Sequence, residues 1–169
     1  MTHSTVTPAT QAFIRFAGNP FKFSLYLFWK LPIAWLSGVR LKQLKEDVCI
    51  TVVPYRWLSQ NPFRSTYFAC LGMAAEMSTG LPSMMYVRSV APVRVSMLVT
   101  GMEASFVKKA TGKTWFTCED VDRIQAAVKE TAVTGEAVTI TVNSVGRSHD
   151  GTVIASFAIT WSFKGKGYR

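Results

Sequence analysis

Glu76 is the residue of this chain whose surroundings say most about chemistry. It stands inside an apolar helical run, and its same-face neighbours Gly72, Met73, Thr79 and Gly80 offer no basic partner. A carboxylate withdrawn from water without a cation takes on a raised pKa, or finds a partner from elsewhere in the assembly. A raised pKa suits a general base working near neutral pH. The alternatives are a carboxylate paired with an arginine across a subunit interface, or one hydrogen-bonded to backbone. Asn61, beside Pro62 at the entrance to the same run, is the second candidate. It either caps a helix or uses its amide to hold a water or a carbonyl oxygen.

The remaining reactive types are poorly placed. His3 falls near the terminus and His149 in a turn, so neither has metal-ligand company. There is no nucleophile elbow, phosphate-binding loop or dinucleotide fingerprint. Cys49, Cys70 and Cys118 are odd in number and have no close pairing, which argues against a disulfide framework or a zinc site. That cysteine usage points to a reducing compartment, the cytoplasm, with each thiol buried as a small hydrophobe. The net charge of +9 attracts anionic partners. No basic stripe or recognition motif points to nucleic acid. Phosphate-bearing small molecules such as coenzyme A, an anionic membrane surface and plain solubility all remain consistent with the charge.

The elements that must position Glu76 can be read from periodicity and punctuation. Its 169 residues, 49% hydrophobic and 17% charged, suit one globular domain with a sizeable core. Thr7-Pro8 begins a short helix that Gly18 and Pro20 close, and Pro20 opens another that Pro32 interrupts before Gly38. Phe23 to Trp35 is strongly apolar, but Lys30 and Pro32 break it well short of the ~20 residues that a spanning helix needs. No signal-peptide pattern is present. These short helices pack over the sheet or against a partner, with peripheral membrane contact as the alternative.

Two strands follow, from Val39 to Leu44 and over Cys49–Val53, joined at Lys45-Glu46-Asp47. Asn61–Gly80 then reads as a helix with Asn61 or Ser65 as its cap and Gly80 and Pro82 as its stop. Apolar and small side chains cover nearly its whole circumference, so it is buried rather than amphipathic. Strands over 95–108 and 113–119, and a helix over 121–130 capped by Asp120, come next. The clearest alternation is last, over 138–143 and 153–163, with a hairpin turn at Asp150-Gly151. An apolar helix among antiparallel strands is an α+β arrangement in which a curved sheet covers the helix.

From Asn61 onward the chain resembles the hotdog thioesterase superfamily, especially the branch that includes phenylacetyl-CoA thioesterases, and within it an uncharacterised thioesterase-like subgroup. In that branch an Asn starts the loop before the central helix, His-Gly-Gly opens the helix, and an acid follows fifteen positions after the Asn. Asn61 and Glu76 have this spacing, with Ala75 before the acid. The segments Pro32-Ile33-Ala34-Trp35 and Asn61-Pro62-Phe63-Arg64-Ser65 resemble the subgroup. Arg64 stands where the family usually has Gly, and Tyr67-Phe68-Ala69 replaces His-Gly-Gly. The resemblance covers about residues 39–164.

The resemblance implies a single hotdog domain over residues 1–169, with a helical extension at 1–38 and a curved antiparallel sheet around a central helix at 39–164. It implies hydrolysis of an acyl-CoA thioester at a site between subunits of a homodimer or homotetramer. Glu76 would activate water or attack the thioester, and Asn61 would bind the water or the carbonyl. The backbone N–H groups of Phe68 and Ala69 would polarise that carbonyl, with Arg64 and Tyr67 facing the pocket. No cofactor is implied, coenzyme A being part of the substrate. Phe63, Phe68, Met73 and Met77 suggest an apolar tunnel. Hotdog dehydratases use a His before the central helix, and Tyr55 to Ser65 contains none. The alternative is a non-catalytic hotdog protein that binds acyl-CoA or fatty-acyl groups.

Overall fold

Proline at the first or second position starts each of three short helices. In the computed structural model, which describes residues 7–166, these are α1 (Pro8–Gly18), α2 (Pro20–Lys30) and α3 (Pro32–Ser37). Thr7 Oγ1 accepts the Thr10 N–H at 3.2 Å and Asn19 Oδ1 that of Lys22 at 3.0 Å, so two of the three have side-chain caps. Gly38, at φ +84°, closes α3 in the left-handed conformation that glycine adopts without penalty. His3 and Arg169 lie outside the described residues.

Strands β1 (Arg40–Leu44) and β2 (Cys49–Val53) lead through a 3-10 turn at Trp57–Ser59 to the long helix α4 (Phe68–Ser89). Then come β3 (Arg94–Phe106), β4 (Thr114–Cys118), α5 (Val121–Thr134), β5 (Val138–Arg147) and β6 (Val153–Lys166). The six strands form one antiparallel sheet in the order β1-β2-β4-β5-β6-β3. Helix α4 touches every strand and α5, so the sheet curls around it. The fully buried Phe116, Met85, Ile124, Ile159 and Phe163 fill the space between them.

Helix α4 corrects the sequence reading at both ends. It starts at Phe68 rather than Asn61, and it passes through Gly80 and Pro82 to Ser89. At the start, the chain from Ser59 to Thr66 is tied down by distant partners: Thr66 N donates to Ala110 O at 2.8 Å and Tyr67 N to Ser59 O at 2.8 Å. Tyr67 takes the capping position, without a side-chain cap. Further along, Pro82 cannot donate to the carbonyl one turn back, a loss of about 3 kcal/mol in an isolated helix. Burial of Leu81, Pro82, Ser83, Met85 and Tyr86 on this stretch offsets that cost.

The buried hydroxyl groups on and against α4 are satisfied locally or by the sheet, as burial requires. Thr51 Oγ1 donates to Ala74 O at 2.6 Å, Ser78 Oγ pairs with Ser144 Oγ at 2.7 Å, and Ser83 Oγ donates to Thr79 O at 2.8 Å. The cysteines are free and buried, as their number and spacing predict. Cys49 and Cys118 stand opposite each other in the β2–β4 ladder, although far apart in sequence. Burial pushes the Cys118 thiol up to about 12.

Candidate active site

Glu76 lies in the middle of α4, on the side that faces the unpaired outer edge of the sheet. Gly80, one turn on, leaves room for its carboxylate: a Cβ there would stand 2.9 Å from Glu76 Oε1 and 3.3 Å from Cζ2 of Trp161. Trp161 is fixed in turn, its Nε1 donating to Thr79 Oγ1 at 3.0 Å, while Thr79 Oγ1 donates to Glu76 O at 3.0 Å. Among the described residues the Glu76 carboxylate forms no ion pair and accepts no hydrogen bond. Burial alone pushes its pKa above the ordinary value, because the charged form loses hydration without compensation.

The carboxylate forms part of the wall of a cavity of about 470 Å³. Phe68, Ala69, Gly72 and Met73 supply the α4 side, Met102, Ala104 and Phe106 come from β3, and Phe157 from β6. Met102, Ala104 and Phe106 are alternate residues of one strand and so share a face. Phe68, Phe106 and Phe157 form an edge-to-face row with centroids 6.3 and 5.7 Å apart. The result is an apolar slot with one carboxylate in it.

Asn61 lies elsewhere. Its Oδ1 accepts from Phe63 N at 3.0 Å, Ser65 N at 3.2 Å and Ser65 Oγ at 3.2 Å, which closes a tight loop. It lines an adjoining cavity of about 350 Å³ with Ser65, Thr66, Lys108 and Lys109. Phe68 and Phe106 border both cavities and stand between Asn61 and Glu76. Neither Asn61 nor Ser65 caps α4. Arg64 is exposed at the tip of this loop with φ +57°. Tyr67 is exposed with its ring against Phe68, centroids 4.8 Å apart.

Phe68 and Ala69 occupy the first turn of α4, where backbone N–H groups lack intrahelical acceptors. Cys70 and Leu71 already donate to Tyr67 O at 2.9 and 3.3 Å. Of the residues expected in an apolar tunnel, Phe68 and Met73 line the Glu76 cavity, whereas Met77 is in the core and Phe63 is exposed. Sequence reasoning did not single out Met102, Ala104, Phe106, Phe157 or Trp161 as site residues. The alternation within β3 and β6 was the available signal, and only the sheet order brings them to α4.

A family model described as a domain of unknown function, DUF4442, matches residues 21–163. The chain belongs to this family. A comparison with curated proteins finds no match. Solved structures share the fold at low identity. A Pseudomonas aeruginosa protein of unknown function, described as a probable thioesterase, has a TM-score of 0.68 at 19% identity, covering 86% of this chain and 96% of its own. A Chlorobaculum tepidum protein of unknown function gives 0.70 at 14%, with 86% and 96% covered. A Haemophilus influenzae thioesterase gives 0.63 at 9%, with 89% and 94% covered. With six antiparallel strands curled around α4, this DUF4442 chain has the hotdog fold.

Proposed function

We propose that this chain hydrolyses acyl thioesters, with acyl-CoA as the substrate class and Glu76 as the general base. One observation carries the reading: a desolvated, unpartnered carboxylate on the wall of an apolar cavity. Ionised Glu76 takes a proton from water as the water oxygen attacks the carbonyl carbon; the C–S bond then breaks, and the thiolate takes up a proton. The products are a carboxylic acid and free coenzyme A. Direct attack by the carboxylate through an anhydride leads to the same products. Met73, Met102, Phe106 and Phe157 receive the acyl chain, and no cofactor is needed.

The N–H groups of Phe68 and Ala69 suit a developing oxyanion. Yet Phe68 and Glu76 are separated by roughly 12 Å of helix rise at 1.5 Å per residue, too far for both to meet one carbonyl. A homodimer resolves this. Strand β3 is a long edge strand that exposes Leu98, Met102 and Phe106 beside its unpaired backbone. Antiparallel pairing of two β3 strands about a dyad would cover the cavity and bring Glu76 of one copy toward the helix start of the other. Asn61 would orient the substrate from the adjoining cavity, where Lys108 and Lys109 offer positive charge to the coenzyme's phosphates. Arg64 and Tyr67 would border its entrance.

Tyr67-Phe68-Ala69, where the thioesterase branch that the chain resembles has His-Gly-Gly, favours one competing reading, an acyl-CoA binder without turnover. Free-thiol release from acyl-CoAs of several chain lengths separates the two. The wild type should release thiol, and Glu76→Gln should lose turnover while keeping its mass by light scattering. Full activity in Glu76→Gln would overturn the assignment, and tight binding by the wild type without thiol release would establish the binder.

A further inference from the structure

Helix α2 carries two apolar stripes where a surface helix needs one. Phe23 and Leu27 are buried, with the Phe23 ring 6.2 Å from Phe16 of α1. Phe21, Leu25, Phe28 and Trp29 follow the i, i+4, i+7, i+8 spacing of a second stripe, and this one faces solvent. Phe21 is 78% exposed and Trp29 73%.

The stripe continues beyond α2. Leu31, Ile33 and Leu36 are exposed along α3, and Trp57 and Leu58 on the 3-10 turn that α3 contacts. Arg56 Nη2 donates to Leu36 O at 2.8 Å and ties that turn to α3. Trp35 Nε1 donates to Ser24 Oγ at 2.9 Å and its ring packs on Phe28 at 5.1 Å, fixing α3 to α2. This ordered, continuous apolar surface has no covering element among the described residues, and surfaces of this kind mark interaction sites.

Charge identifies the occupant. Residues 1–45 include Arg15, Lys22, Lys30, Arg40, Lys42 and Lys45, and no Asp or Glu. Lys22 and Lys30, both exposed, stand near the two ends of α2. On the side of α2 toward β1, a cavity of about 450 Å³ is lined by Pro20, Phe23, Ser24, Arg40, Lys42 and Gln43 among others, again without an acid. Arg40 is held there by Nη1 bonds to Trp35 O at 3.1 Å and Val39 O at 2.8 Å. A second copy docked through this face would set cations against cations, since an isologous contact opposes each patch to itself. An anionic lipid surface neutralises the lysines and accepts Trp and Phe at its interface.

We propose that the α2–α3 face, with Trp57 and Leu58, seats this protein on anionic phospholipid bilayers. No helix among the described residues is long and apolar enough to cross a membrane. The eleven residues of α2 span about 16 Å and lie in the plane of the interface, not across it. The face belongs to the β1 side of the sheet, whereas the Glu76 cavity opens at β3, the opposite edge. The inference therefore does not rest on the thioesterase reading.

Flotation with the full chain tests it, comparing vesicles of phosphatidylcholine and phosphatidylglycerol with vesicles of phosphatidylcholine alone. The wild type should float with the anionic vesicles only, with a blue-shifted tryptophan emission that high salt reverses. Lys22→Gln with Lys30→Gln should lower the partition coefficient on the order of 30-fold, about 5-fold per lysine. Phe21→Ser with Trp29→Ser should lower it at least as far, with an unchanged circular dichroism spectrum verifying the fold. Wild type that stays unbound, or both variants binding like wild type, would overturn the proposal. So would a lipid-free oligomer that Phe21→Ser with Trp29→Ser dissociates, since the face would then belong to a second copy.

Discussion

Gly80→Ala should damage the site while leaving the fold nearly intact. The new Cβ would stand 2.9 Å from Glu76 Oε1, and ordinary contact begins near 3.4 Å, so that oxygen must retreat by about half an ångström. The other neighbour, Trp161 at 3.3 Å, is buried and anchored through Nε1 to Thr79, so the mobile carboxylate yields first. For stability, alanine in a helix interior gains roughly 0.5–1 kcal/mol over glycine. The tightened contact with Trp161 costs about 1 kcal/mol, the low end for overpacking. The two nearly cancel, and Tm should move by only a few degrees. For chemistry, a displacement of ~1 Å costs on the order of 10²-fold, so half of that predicts about a 10-fold loss in kcat with little change in KM. Thiol release and a thermal melt of the same preparation measure both. An unchanged kcat at an unchanged Tm would refute the idea that the position of this carboxylate matters to turnover.

Titration of Glu76 makes a further prediction with a definite sign. Burial raises its pKa in the folded chain above the unfolded value, so the wild type loses stability as pH rises from the ordinary carboxylate range through the raised pKa. Glu76→Gln should therefore gain in Tm over wild type across that interval and show no gain below it; a difference constant in pH would contradict the burial argument. Wild-type kcat/KM should rise through the same raised pKa and then level off. In the core, Ser78→Ala leaves Ser144 Oγ without its 2.7 Å partner and should cost about 1–3 kcal/mol in denaturant unfolding. Adding Ser144→Ala should recover part of that loss, and a purely additive double variant would rule out the coupling.

The strands were legible because their signal is local. Alternation over 138–143 and 153–163 sets each side chain's face by a period of two, and the Asp150-Gly151 turn sets the register, so β5 and β6 pair as the pattern requires. Burial of α4 was legible for a similar reason, since a helix with no polar face needs cover all round. Its boundaries were not. Asn61 and Ser65 look like caps in isolation, but the Asn61 amide closes its own loop and Ala110, far along the chain, fixes Thr66. Gly80 and Pro82 look like a stop, yet buried contacts hold the helix through both. Gly80 instead leaves the space into which Glu76 folds.

The site was half legible for the same reason. Glu76 announces itself through the absence of any cation one turn away, a fact within reach of the sequence. What surrounds it comes from β3 and β6, and their position over α4 depends on a strand order in which β3 crosses to the far side of β6. That crossing makes β3 both the wall of the cavity and the free edge of the sheet. A cavity at such an edge is open to solvent in one copy, and the proposed pairing along β3 would cover it. Burial within one chain already raises the Glu76 pKa, and cover from a second copy would raise it further. The helices at the other edge carry an outward apolar stripe that the proposed pairing along β3 would leave uncovered. One chain could carry both proposed roles, because β1 and β3 are opposite edges of the sheet.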